Sequence, residues 1–180
     1  MKRFLVCTVL VVAATALYAQ KAPPKSPPAT ASVTIDGKTV SITYSSPRLN
    51  GRAGHIFDPG GLISHDPTYP VWRAGANPAT ALHTDADLTL GGLRVPKGDY
   101  TLYVDIADPA HWVLIVNKQT GQWGTHYDKA LDLGRVKMSM SKPLAPVEDL
   151  QYTLENPGGT TGKLTLEWEN RSASVLFAVH

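Results

Sequence analysis

The chain has 180 residues, with 17 basic side chains, 15 acidic ones and a single cysteine. One cysteine cannot close an internal disulfide, and because Cys7 lies in the apolar N-terminal run, cysteine nucleophiles and thiolate metal centres are excluded from the rest of the chain. Lys2 and Arg3 account for the excess of basic groups, so the chain beyond residue 19 holds 15 of each sign with no run of Lys or Arg, which argues against nucleic acid and against a charged membrane surface as partners.

Residues 1–19 have the layout of an export signal. Lys2 and Arg3 precede an apolar run over 4–17, and Ala19 offers a small residue for cleavage before Gln20. The run is short of the ~20 apolar residues that span a bilayer. Pro23, Pro24, Pro27 and Pro28 follow and prevent a helix from continuing. The expectation is an exported protein, periplasmic or extracellular, with no membrane partner once the signal is removed. Residues 20–30 read as a Pro-, Lys- and Ala-rich linker, and residues 31–180 as one domain.

The body alternates apolar and polar residues with the two-residue period of strands. Val33 and Ile35, then Val40, Ile42 and Tyr44, flank Asp36-Gly37, the dipeptide of a tight hairpin. Leu88 and Leu90 start another pair turned at Gly91-Gly92. Tyr100, Leu102, Val104 and Ile106 share one face, with Thr101, Tyr103 and Asp105 on the other. Residues 112–116 are apolar on both faces and read as a central strand covered twice. Val136, Met138 and Met140 alternate, as do Leu150, Tyr152 and Leu154, then Leu164, Leu166 and Trp168, then Val175, Phe177 and Val179. Only residues 128–133 suit a helical turn. The pattern predicts an all-β fold, an antiparallel, jelly-roll-like β-sandwich with at most that one short turn. Residues 51–70 follow neither period and read as a long loop.

The densest set of polar groups is the stretch 71–84, V-W-R-A-G-A-N-P-A-T-A-L-H-T. In a functional reading, Arg73 and His83 face a cleft and grip an anionic or sugar-like ligand, with Trp72 as a stacking platform. In the alternative, Trp72 fills the core, Arg73 stacks or pairs with an acid, and Asn77 satisfies a turn. Asn117, Lys118, Gln122, Trp123, His126 and Tyr127 form a further candidate, with Trp123 either stacking on a sugar or plugging one end of the sandwich. His55, Asp58, His65 and Asp66 are weak metal candidates, because H-x-x-D … H-D matches no strong ligand spacing, and no metal is assigned. No motif implies a cofactor, and no G-x-S-x-G elbow is present. Glu167 and Glu169 read as one solvated strand face, and Asp132 with Arg135 as a local ion pair.

Several blocks occur together in a familiar order: T-Y-S-S-P-R at 43–48, G-R at 51–52, V-W-R-A-G-A-N at 71–77 and A-T at 79–80. They continue with G-G-L-R-V-P-K-G-D-Y-T-L-Y at 91–103, W-V-L-I-V-N-K at 112–118 and Q-W-G at 122–124. From about Pro28 onward the chain resembles the bacterial exported family called domain of unknown function 2911. The segment between Arg52 and Val71 is longer here than the family pattern. The resemblance implies compartment and fold, and no reaction.

Three functions fit this reading. One is a non-catalytic module binding a carbohydrate or a small anionic ligand through Arg73, Asn77, His83, Tyr103 and Trp123. Another is a metal-assisted hydrolase built on the 51–70 loop. The last is an accessory domain that meets another exported protein. A concave pocket, convergent His and acid groups, or an apolar patch would mark each in turn.

Overall fold

The computed structural model describes residues 24–180, so the expected export signal lies outside the described residues. The chain forms two packed antiparallel sheets. The larger contains β1 (Pro28–Ile35), β2 (Lys38–Ser45), β3 (Val71–Trp72), β4 (Thr80–Thr84), β7 (Gly98–Asp105), β8 (Val113–Asn117) and β9 (Asp132–Lys137). The smaller contains β5 (Leu88–Leu90), β6 (Leu93–Val95), β10 (Ser139–Ser141), β11 (Val147–Gly158), β12 (Thr161–Glu169) and β13 (Arg171–Val179). Strand order is β1-β2-β4-β7-β8-β9 in one sheet and β11-β12-β13-β5-β6 in the other. The first strand begins at Pro28, inside the segment read as linker, because its backbone pairs with β2 from Pro28↔Ser45 onward.

Local chemistry explains the hairpins. Asp36 and Gly37 both take positive φ, 49° and 72°, as a two-residue turn matched to strand twist requires. Gly91 turns β5 into β6 with φ 53°, and a Cβ there would stand 2.2 Å from Val136 Cγ1, so only glycine fits. The alternating apolar residues meet between the sheets. Ile42, Leu82, Leu102, Val104, Leu114 and Val116 come from the larger sheet, and Leu150, Leu164, Leu166 and Phe177 from the smaller. β8 is covered on both faces as expected: Ile115 packs with Val71, Tyr103 and Tyr127 on the outer face.

Two departures follow from tertiary packing. The alternation through Val136, Met138 and Met140 is not one strand. The chain passes from the larger sheet to the smaller at buried Met138, whose N–H donates to Trp112 O. The 51–70 loop is held firmly. Ile56 and Ile63 are buried, Leu62–His65 makes a 3-10 turn in addition to the one at Lys129–Leu131, and Phe57 enters an aromatic cluster. Its ring centroid lies 5.4 Å from Trp72, 5.1 Å from Trp112 and 5.9 Å from Trp168.

β3 and β4 occupy one strand position beside β7. β4 pairs with Gly98–Leu102 and β3 with Val104 and Asp105, while β8 takes the opposite edge. Residues 73–79 leave the sheet between them, and Ala76 N–H returns to Ser45 O at the end of β2. This interruption opens the end of the sandwich.

Candidate functional site

The opening is a cleft of about 480 Å³. Trp72 and Trp168 form its floor, stacked with centroids 6.0 Å apart and planes 14° from parallel. One wall is the segment after β2. Leu49 N–H donates to Glu148 O and Leu150 N–H to Pro47 O, which fastens this segment to the start of β11. It presents Arg48, Asn50 and Arg52 to the cleft. The 73–79 excursion adds Arg73 and Asn77. The 3-10 turn adds Leu62 and Ile63, followed by Asp66, and Lys25 stands at the mouth.

Each guanidinium is engaged by a protein oxygen with donors to spare, since arginine carries five N–H groups. Arg73 Nη2 donates to Asp66 Oδ1 at 2.7 Å, with both side chains largely buried. Arg52 donates through Nε to Leu49 O and through Nη2 to Arg48 O, so its charge is held by carbonyls. Arg48 pairs with Asp149 at 2.9 Å, and that pair is half exposed. The cleft therefore gathers cations that are dispersed along the chain.

Unusual backbone geometry also concentrates here. Asn50, Ala74, Asn77 and Glu169 have φ of 48°, 47°, 60° and 56°. Asn50 and Asn77 line the cleft, Ala74 sits between lining residues Arg73 and Gly75, and Glu169 follows Trp168. For alanine and glutamate this region is unfavourable, by about 1–3 kcal/mol, and it persists only where surroundings enforce it. Ala74 O accepts from Tyr152 Oη at 2.9 Å and from Thr80 Oγ1 at 3.1 Å, which supplies that enforcement. Glu169 corrects the sequence reading of a solvated face: it is 4% exposed and accepts from Gly54 N–H, holding the start of the 51–70 loop.

Arg73 and Asn77 are thus brought together, and the other expected ligand-binding residues are not. His83 projects from the outer face of β4, with Nδ1 2.7 Å from Asp99 Oδ1 and Nε2 3.1 Å from Asp85 Oδ1. Those hydrogen bonds, to Asp99 first and then Asp85, raise its pKa above the ordinary imidazole value. Strand alternation is the reason it is remote from the cleft: Thr80, Leu82 and Thr84 point inward, so His83 points out. Tyr103 is buried on that outer face, where its oxygen accepts from Gln122 Nε2 at 3.1 Å and its ring lies 4.9 Å from Tyr127. Burial raises its pKa, against the lowering effect of the Gln122 bond and the Arg73 charge. Trp123 is 48% exposed, and its backbone pairs with Pro78, so it neither plugs the sandwich end nor lines the cleft. The next residue, Gly124, donates to Asn77 O, and a Cβ there would meet Arg73 Cδ at 2.6 Å.

The metal candidates do not converge. Among the described residues no three His, Cys, Asp or Glu side chains form a group that would hold an ion. Asp66 is engaged by Arg73, and His65 Nε2 lies 3.2 Å from Gly60 O. The Asp132–Arg135 pair does form, at 3.1 Å, and extends to Asp105 and Tyr127. In that network burial and the adjacent Asp132 push the Tyr127 phenol up to about 12.

Sequence reasoning missed Arg48, Asn50 and Arg52 as site residues. Their signal was present in the blocks S-S-P-R and G-R, two arginines placed about a turn, but nothing local aims them at Arg73. No match to the chain was found among curated proteins or among solved structures. The comparison with protein families matches residues 26–177, which include every residue around the cleft except Lys25. The chain therefore belongs to the family described as Protein of unknown function (DUF2911).

Proposed function

We propose that this chain is an exported, non-catalytic module that binds a small anionic molecule in the cleft between Arg48, Arg52 and Arg73. The observation that carries the reading is that three arginines from separate segments line one concave site, with Arg52 and Arg73 held by hydrogen bonds and Arg48 by an ion pair. Arginine forks match oxyanions bidentately, and a pocket with a few fixed polar groups over an apolar floor is the usual form of a small-molecule site. The carbohydrate reading drew on Trp123, which stands outside the cleft, so the anionic class is favoured. The hydrolase reading drew on His and Asp groups that do not meet. Export rests on the charged start and apolar run in residues 1–19.

Thermal-shift screening of the purified protein against small anions and neutral sugars tests the proposal. Anions should raise the unfolding temperature, and Arg73→Gln and Arg52→Gln should reduce that rise. Stabilisation by sugars alone, or anion effects that ignore both substitutions, would refute it.

A further inference from the structure

Resting on the anion-binding reading of the cleft, we infer that its ligand is an acidic amino acid, a molecule with an ammonium and a carboxylate on one carbon and a second carboxylate beyond. The first argument is local pairing. Arg73 Nη2 donates to Asp66 Oδ1 at 2.7 Å, and both residues line the cleft. A guanidinium and a carboxylate side by side are complementary to a carboxylate and an ammonium side by side, which is what the α-carbon of an amino acid carries. Each partner keeps capacity for it. Among the described residues no donor meets Asp66 Oδ2, and Arg73 has Nε and Nη1 uncommitted.

The second argument is the balance of charge. Lys25, Arg48, Arg52 and Arg73 make the lining itself cationic, with Asp66 among them. Three further carboxylates stand around it. Asp149 pairs with Arg48, while Glu148 and Glu169 accept from the N–H groups of Asn50 and Gly54, on either side of Arg52 in the chain. Four cations are therefore matched by four carboxylates, which leaves no surplus for a compact dianion. What the cleft offers is separated charge of both signs. A ligand of mixed charge answers it, whereas a simple anion meets repulsion from Asp66.

The third argument places the second carboxylate. Arg48 has Asp149 and Arg73 has Asp66, but Arg52 meets only the carbonyls of Leu49 and Arg48. Its Nη1 makes no hydrogen bond to any described residue. Arg52 belongs to the segment after β2 and Arg73 to the excursion after β3, so the arginines supply two separate positions for oxyanions. A side-chain carboxylate gives Arg52 the bidentate partner that it lacks.

Isothermal titration calorimetry on the purified chain, with L-glutamate, glutarate, N-acetyl-L-glutamate and L-glutamine as probes, tests this inference. L-Glutamate should bind one to one and at least about tenfold more tightly than each of the others, which lack in turn the amine, its charge and the second carboxylate. Asp66→Asn should weaken L-glutamate at least about tenfold and leave glutarate equal or tighter, because only the amino acid loses a partner. Arg52→Gln should remove the preference for L-glutamate over L-glutamine. The comparison of probes on the unsubstituted chain stands even if a variant misfolds, and thermal unfolding checks each variant used. If glutarate or N-acetyl-L-glutamate binds as tightly as L-glutamate and still depends on Arg52 and Arg73, the amino-acid class is wrong and the anion-binding reading stands. Equal binding of L-glutamine overturns the acidic class in the same way. If none of the four binds, this inference falls and the thermal-shift screen alone decides the anion-binding reading. If binding ignores both Arg52→Gln and Arg73→Gln, both fall.

Discussion

Arg73 and Asp66 join at 2.7 Å in the lining of the cleft, one from the strand-interrupting excursion after β3 and the other from the long loop that precedes it. The pair lies in a site where both side chains are less than one-fifth exposed, 19% and 16%, so solvent screens it poorly. It couples the fixed part of the site to a segment of otherwise irregular backbone. Asp66→Asn should lower stability by about 1–3 kcal/mol, the usual effect of weakening a charged hydrogen bond in a largely buried setting. The same variant should bind anions more tightly, because a competing carboxylate is gone. Urea denaturation and anion titration of one preparation measure both, and a fall in affinity would contradict the placement of Asp66 beside the ligand.

The core predicts large effects from single truncations. Leu114 is fully buried and Trp168 is 2% exposed in the aromatic floor. Leu114→Ala should cost about 2–5 kcal/mol and Trp168→Ala about 3–5 kcal/mol. Chemical denaturation checks this, and losses under about 1 kcal/mol would show that the assignment of the core is mistaken.

Two adjacent glycines separate strain from crowding. Gly91 has φ 53° and a would-be Cβ 2.2 Å from Val136 Cγ1, while Gly92 has φ 94° with open space around its would-be Cβ. Gly92→Ala should show backbone strain alone, about 1–3 kcal/mol. Gly91→Ala should add overpacking of about 1–3 kcal/mol more. Equal midpoints for the two variants would count against the close approach of β9 to the β5–β6 turn.

His83 gives the outer sheet face a mild pH dependence. Its hydrogen bonds to Asp99 and Asp85 raise the folded pKa above the ordinary 6.5. Stabilisation from the charged ring is complete below about pH 6.5, the unfolded value, and is lost as pH rises through the higher folded value. The side chain is 47% exposed, so the effect is small. Unfolding temperature should decline from pH 6 to pH 8 more steeply in the wild-type protein than in His83→Gln, and identical slopes would show that the pair contributes nothing.

Composition and two-residue alternation were enough to reach an all-β sandwich, its main hairpins and most of its core. Those features depend on neighbours in the chain: Asp36-Gly37 needs only its own dihedrals, and Leu102 and Val104 share a face wherever the strand lies. The crossing between sheets at Met138 and the burial of Glu169 were not legible, since each depends on what a distant segment places beside it. The site divided in the same way. Arg73 and Asn77 stand out within one short stretch, and that stretch drew His83 in with them although pleating turns it outward. Arg48 and Arg52 join Arg73 only because the β2 end, the β11 start and the gap between β3 and β4 meet at one end of the sandwich. Chain pattern thus specified which layers form and which residues they bury, because alternation is a local property. Assembly of a cationic cleft from a chain without any cationic run was left to folding, because it depends on long-range strand pairing that no single segment encodes.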